Sequence, residues 1–166
     1  MRATRVVCPG SFDPITLGHL DIIRRARDLF GDVVVAVGLN PQKKYLFGNR
    51  RIELVRDAVA GLEGVEVAEM DGLIVDFCAE RGISAVVKGI RFGSDFDFEV
   101  QMAHMNHGQT GLETVLLPAA AEYLTLSSTL LRTILVHGGD VTRHVPPNVA
   151  EAIARRDWET ADSSAG

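Results

Sequence analysis

The run Val33-Val34-Val35-Ala36-Val37 constrains the fold more than any other stretch of the chain. Its residues are almost all β-branched and it shows no polar alternation. Such side chains favour extended backbone, and a strand that is apolar on both pleat faces must be covered on both. That describes an inner strand of a sheet held between two layers of helices. Four further short runs read as strands: Arg5 to Cys8, the weaker Val65 to Val67, Ala85 to Val87, and Thr114 to Leu117 before Pro118.

Helical spacing fills the gaps. Leu20, Ile23, Ala26, Leu29 and Phe30 share one face, with Arg24, Arg25 and Asp28 opposite. Ile52, Val55, Val59 and Leu62 repeat the pattern. A shorter helix spans Leu73 to Glu80 and should stop at Gly82. Others run from Phe96 to His107, from Thr129 to Val136 before Gly138-Gly139, and from about Asn148 to Arg156 behind Pro146-Pro147. Alternating strands and helices predict an α/β fold with a five-stranded parallel sheet flanked by helices and right-handed crossovers. A length of 166 residues suits one domain. We expect it over residues 1–159, with the small, polar stretch 160–166 as a flexible tail.

Composition removes several classes. Seventeen Lys and Arg stand against 22 Asp and Glu, a formal net charge of −5. A nucleic-acid surface needs a basic footprint, so no nucleic-acid partner is expected. No apolar run approaches the ~18 residues of a membrane span, and the run after Arg5 is too short for a signal sequence. Cys8 and Cys78 form no CxxC pair, which predicts inert buried thiols in a reducing cytoplasm rather than a disulfide or a zinc site.

In parallel sheets ligands bind beyond the carboxyl ends of the strands. The first strand leads into Pro9-Gly10-Ser11-Phe12-Asp13-Pro14-Ile15-Thr16-Leu17-Gly18-His19. Neither G-x-G-x-x-G nor a P-loop is present, and Gly10-Ser11-Phe12 is no nucleophile elbow. The segment reads either as a capped tight turn or as a glycine, a hydroxyl and a histidine at a helix start, where anions bind. The second strand leads to Lys43-Lys44 and the fourth to Lys88-Gly89-Ile90-Arg91. After the fifth, Ser127-Ser128-Thr129 opens a helix, as an ordinary cap or as an anion site. Four of the five strand ends thus carry phosphate-compatible groups, and their coincidence at one sheet edge predicts a polyphosphate site, meaning a nucleotide. His104 and His107 have metal-like spacing but no completing ligands, so they read as surface or interface residues. Asp95, Asp97 and Glu99 lack the pattern of a calcium loop. They read as an acidic helix start, or as the source of one carboxylate contacting a ribose.

Thr16-Leu17-Gly18-His19 and Leu126-Ser127-Ser128-Thr129-Leu130-Leu131-Arg132, in that order, resemble the two signatures of the nucleotidyltransferase superfamily. Within it, the chain is similar to the bacterial phosphopantetheine adenylyltransferase family from about Val6 to Val149. Pro9 to Thr16, Lys88 to Arg91, Gln101 to Asn106 and His137 to Thr142 carry that likeness most specifically. The resemblance implies a Rossmann-like nucleotidyltransferase fold. It implies transfer of the adenylyl group of ATP to 4′-phosphopantetheine, giving dephospho-coenzyme A and pyrophosphate by direct in-line attack without a covalent intermediate. It further implies Mg²⁺, feedback inhibition by coenzyme A, and a cytoplasmic homohexamer built as a dimer of trimers.

The same resemblance suggests roles for individual residues. His19, Lys43 and Arg91 would be catalytic. Ser11, Lys43, Ile74 and Lys88 would bind phosphopantetheine. ATP would meet Ser11, Phe12, His19, Gly89, Ile90, Arg91 and Glu99, and be wrapped by Tyr123, Leu124, Thr125, Leu126, Ser127, Ser128 and Thr129. No direct protein ligand is assigned to the metal, which would bridge phosphates and water. Many members carry Thr where Ser11 stands and Arg where Lys88 stands, and a lysine cannot form arginine's bidentate fork. Two other readings are open: a nucleotidyltransferase with another acceptor, such as nicotinamide mononucleotide or glycerol 3-phosphate, and a non-catalytic nucleotide-binding regulator.

Overall fold

The computed structural model describes residues 4–158. The predicted tail at 160–166 lies outside the described residues. Five strands alternate with helices: β1 (Thr4–Gly10), α1 (Leu17–Phe30), β2 (Gly31–Leu39), α2 (Arg50–Val59), β3 (Val65–Asp71), α3 (Ile74–Arg81), β4 (Ala85–Ile90), α4 (Gly93–Thr110) and β5 (Glu113–Pro118). Helices α5 (Ser128–Val136) and α6 (Pro147–Ala154) complete the order. The strands pair in parallel in the order β3-β2-β1-β4-β5. This is the predicted α/β fold with a five-stranded parallel sheet.

The valine run forms the middle of β2, and all five of its residues are fully buried. Successive side chains alternate between two apolar layers. Val33, Val35 and Val37 join Val6 and Cys8 of β1 under α1, α2, α5 and α6. Val34 and Ala36 join Val7 and Ala68 on the other face, against Val75, Phe77 and Cys78 of α3. Each fully buried valine contributes roughly 1.5–3 kcal/mol, so β2 anchors both layers. Helix α4 is the exception. Asn106 is its one buried residue, while Phe92, Phe96, Phe98, Met102 and Met105 are exposed.

Several strands run past their apolar stretches. The ladder continues through Gly10↔Val37 and through Gly89↔Leu117 and Ile90↔Pro118. Backbone pairing persists there although the side chains have turned to the chemistry of the site. Helix α2 ends at Val59, earlier than the periodicity suggested. Leu62 sits in the following turn, its N–H on the Val59 carbonyl at 2.9 Å. Helix α3 stops at Gly82, as predicted, with φ of 64°. Short 3-10 turns at Ala121–Tyr123 and Thr142–His144 carry no apolar period and were not foreseen.

The chain leaves β1 toward β2 on one side, and after β3 crosses to β4 on the other. The order therefore reverses between β1 and β4, which opens a crevice at their carboxyl ends.

Candidate active site

A cleft of about 360 Å³ opens at that reversal. Its floor is the end of β1. Gly10 leaves room there for the Phe12 ring, which a Cβ would approach to 3.0 Å. Phe12 takes a positive φ of 49°, which tucks its ring inward, edge-on to His19 with centroids 5.0 Å apart. The next residue, Asp13, is buried, and its carboxylate accepts the backbone N–H groups of Leu46 and Phe47 at 2.8 and 2.9 Å. The loop after β2 is thereby fastened to the loop after β1.

Helix α1 starts beside this floor. The N–H of His19 donates to Thr16 Oγ1 at 3.2 Å, and the N–H of Thr16 donates to His19 Nδ1 at 3.0 Å. These two bonds close a reciprocal cap over the first turn. Because Nδ1 accepts, the ring proton of the neutral imidazole sits on Nε2. Burial, with Lys88 and Arg91 nearby, lowers the His19 pKa from 6.5 to about 4. The cleft therefore holds a neutral histidine with one N–H donor.

Cations surround it. Lys43 Nζ donates to Ser11 Oγ at 3.1 Å. Lys88 Nζ pairs with Glu99 Oε1 at 3.2 Å. Arg91 is held through its backbone N–H and its Nε by Asp95 Oδ2, both at 3.0 Å, and donates a further bond to the Leu126 carbonyl. Burial alone would raise the Asp95 carboxyl, but the hydrogen bonds and charge of Arg91 outweigh it and hold that group below its usual value. Arg132 of α5 donates to the Asp13 carbonyl at 2.8 Å and to Thr129 Oγ1 at 3.2 Å.

The three hydroxyls at the start of α5 divide their work. Ser127 is the cap, its Oγ accepting the Leu130 N–H at 3.1 Å. Ser128 Oγ donates to the Pro14 carbonyl at 2.8 Å and so ties α5 to the β1 loop. Thr129 takes the Arg132 bond. All three line the cleft, where the first-turn amides of α5 have no acceptor within the helix. The cap reading thus holds for Ser127, while Ser128 and Thr129 line the cleft with side chains engaged elsewhere.

A second cleft of about 440 Å³ adjoins the first and shares Pro9, Lys88 and Glu99 with it. Ile74, Leu73, Met70, Phe98, Met102 and Met105 give it an apolar character. Lys88 and Glu99 stand where the polar and apolar spaces meet.

The structure gathers most of the predicted site. Ser11, Phe12, His19, Lys43, Lys88, Gly89, Arg91, Glu99, Tyr123, Leu126, Ser127, Ser128 and Thr129 line the first cleft, and Ile74 lines the second. Ile90, Leu124 and Thr125 are not among the residues lining either. Ile90 instead accepts the Ala119 N–H with its carbonyl at 2.8 Å. Gly89 has a packing reason beyond ligand approach, since a Cβ would lie 2.8 Å from Ile22 Cγ1. Sequence reasoning gave no role to Asp13, Thr16, Arg132 or Arg51, and took Asp95 only as one of three carboxylates that could contact a ribose, not as the partner of Arg91. Asp95 lies four residues after Arg91, a spacing that signals an ion pair on a helix start. Arg51 sits three and four residues before Leu54 and Val55, on the buried face of α2, and that position was its signal.

The two cysteines are buried and free. Burial pushes the Cys8 thiol up to about 12 and the Cys78 thiol up to about 11, so both stay protonated. His104 and His107 are exposed on α4. Among the described residues, no group of three or more His, Cys, Asp or Glu side chains is arranged to hold a metal ion. No described helix is long and apolar enough to cross a membrane.

The parallel sheet thus carries a donor-lined crevice at its reversal point, with a histidine in the first turn after β1 and a hydroxyl-rich helix start after β5. The cytidylyltransferase-like family model matches residues 7–134. The chain also aligns with the phosphopantetheine adenylyltransferases of Cutibacterium acnes, at 50% identity over 92% of this chain and 98% of the relative, and of Streptomyces coelicolor, at 52% identity over 92% and 96%. That of Paenarthrobacter aurescens is 49% identical over 98% of this chain and 99% of the relative. The chain belongs to the phosphopantetheine adenylyltransferase family.

Proposed function

We propose that this enzyme transfers the adenylyl group of ATP to 4′-phosphopantetheine, releasing pyrophosphate and forming dephospho-coenzyme A. The observation that carries this reading is the meeting of a donor-lined cleft with an apolar one at Lys88 and Glu99. The first suits a triphosphate. The second suits a flexible, largely uncharged arm that ends in a phosphate at the junction.

The acceptor needs little activation. A phosphate monoester has its second pKa near ~6, so it is already an anionic nucleophile at neutral pH. One of its oxygens attacks the α-phosphorus of ATP. A new P–O bond forms there, and the bond to the β-phosphate oxygen breaks with its electron pair leaving on pyrophosphate. The enzyme must hold two anions in line and offset the charge that builds on the α-phosphoryl oxygens. Nε2–H of His19 donates to that oxygen. Lys43 bridges the acceptor phosphate and the transferring group, beside the Ser11 hydroxyl. Lys88 exchanges Glu99 for the acceptor phosphate, while Arg91 and the start of α5 hold the β- and γ-phosphates. Tyr123 and the residues up to Thr129 close over the nucleotide.

The carboxylates of the cleft are engaged: Asp13 by Leu46 and Phe47, Asp95 by Arg91, and Glu99 by Lys88. With these carboxylates engaged, Mg²⁺ would come with ATP rather than from a protein site, and would offset charge on the phosphates. The exposed apolar face of α4 supports assembly with further copies of the chain, as a homohexamer. Coenzyme A contains the product's pantetheine arm and phosphates, so it fits the same two clefts and acts as a feedback inhibitor. Two free, buried thiols fit a cytoplasmic location.

The test is pyrophosphate release by the purified protein with Mg²⁺, offering acceptors one at a time. Release with ATP and 4′-phosphopantetheine alone is expected. Release only with nicotinamide mononucleotide, or only with CTP and glycerol 3-phosphate, would keep the nucleotide site and overturn the acceptor. ATP binding without release for any acceptor would favour a regulator.

A further inference from the structure

The loop that carries Lys43 rests on a buried arginine that touches no reacting group. Arg51 is 1% exposed. Its guanidinium donates to the Ser11 carbonyl at 2.7 Å and to the Gly38 carbonyl at 2.8 Å. Its remaining face is covered by Tyr45, whose ring centroid lies 3.6 Å from Cζ. Tyr45 stands two residues from Lys43 on the same irregular loop, and its hydroxyl also reaches the Gly38 carbonyl, at 3.4 Å. Lys43 Nζ in turn lies 5.6 Å from the Tyr45 ring centroid and 3.1 Å from Ser11 Oγ.

Arg51 therefore grips both sides of one contact: the backbone of Ser11 below, and the loop bearing Lys43 above. We propose that the Arg51–Tyr45 stack is a positioning device that sets Lys43 over Ser11, where the two substrate phosphates meet. The inference rests on the reading of Lys43 given above. Lysine is a compact charge on a flexible four-carbon stem, with ~2 kcal/mol of rotamer entropy. An exposed loop does not fix such a charge. Here the chain just after it is held at three successive residues: Tyr45 through its ring in the stack, and Leu46 and Phe47 through their backbone N–H groups on the Asp13 carboxylate. A strut built only for stability would favour an apolar side chain, since burying a guanidinium carries a large desolvation penalty. The planar fork of arginine supplies two things an apolar side chain cannot: a pair of carbonyl bonds in fixed directions and a flat cation for the Tyr45 ring.

The experiment is a double-mutant cycle on the full-length enzyme. Tyr45→Leu keeps an apolar side chain and removes the ring face. It should lower kcat about 10-fold, within the ~10²-fold that a 1 Å misplacement can cost, and leave the KM for ATP within about 2-fold. Tyr45→Phe, which keeps the ring, should recover most of the loss. In a Lys43→Ala background, Tyr45→Leu should have no further effect on kcat, because nothing remains to be positioned. Arg51→Lys should behave like Tyr45→Leu, and urea midpoints report any separate loss of stability. Equal factors for Tyr45→Leu with and without Lys43 would overturn the inference, as would a loss of stability with kcat unchanged. If Lys43→Ala itself turned over normally, the role given to Lys43 would fall, and this inference with it.

Discussion

Thr16 and His19 cap one another, the N–H of each donating to the side chain of the other at 3.0 and 3.2 Å. The helix start and the donor that the proposed mechanism uses are thus one structure. The bond that completes the cap also fixes the imidazole tautomer and aims its N–H away from the helix. His19→Ala should lower kcat by about 10²–10³-fold, the usual loss for one donor to a developing oxyanion, with the far-ultraviolet spectrum of the folded protein retained. Turnover near that of the wild type would remove His19 from the chemistry.

The pH dependence follows from the same residue. Its folded pKa of about 4 lies below the ordinary 6.5. Between those values the unfolded chain binds more protons than the native one, so this group's contribution to stability rises with pH across that window. It is fully present above pH 6.5 and is lost as pH falls toward 4. Urea midpoints at pH 6.5 and 4.5 should differ more for the wild type than for His19→Gln. Equal differences would mean that His19 is not held neutral by its surroundings.

Lys88 lines both of the clefts that the proposed reading gives to the two substrates. It stands at the junction of the clefts and pairs with Glu99 at 3.2 Å. Lys88→Ala should raise the KM for 4′-phosphopantetheine at least several-fold more than the KM for ATP, read from initial rates with each substrate varied in turn. Equal increases would show that the junction serves the nucleotide as much as the acceptor.

Gly89 tests the packing that brings α1 against β4. A Cβ there would meet Ile22 Cγ1 at 2.8 Å. Gly89→Ala should destabilise the protein by about 1–3 kcal/mol, the usual range for overpacking, and Ile22→Ala should recover part of that loss. Additive effects in denaturant unfolding would contradict the close approach.

Much of this was legible in the residues. The valine run announced an inner strand, and its two-sided burial is what the absence of alternation required. The strand ends could be read as one ligand-facing edge because hydroxyls, cations and glycine follow short apolar runs, and those residues line one cleft. The sequence could not show which serine capped α5, since Ser127, Ser128 and Thr129 are equally able to cap and only the approach of Pro14 and Arg132 separates them. Arg51 and Asp13 were missed for a related reason. Their importance lies in bonds to the backbone of Ser11, Gly38, Leu46 and Phe47, and a carbonyl or an amide leaves no mark in a sequence. Helix α4 was found by its length and pattern, but nothing in its periodicity revealed that Phe92, Phe96, Phe98, Met102 and Met105 would be left exposed.

Direct displacement between two substrates held side by side is the claim on which the account depends. Two groups at the floor of the cleft are poorly placed for a covalent detour: the Cys8 thiol is held up to about 12, and the hydroxyl of Ser11 accepts a hydrogen bond from Lys43. The most direct test is the stereochemical course at the α-phosphorus, followed with an α-thio analogue of ATP of one configuration and 4′-phosphopantetheine as acceptor. A single displacement predicts inversion in the dephospho-coenzyme A product. Retention would mean two displacements through an adenylylated enzyme, and would contradict the account.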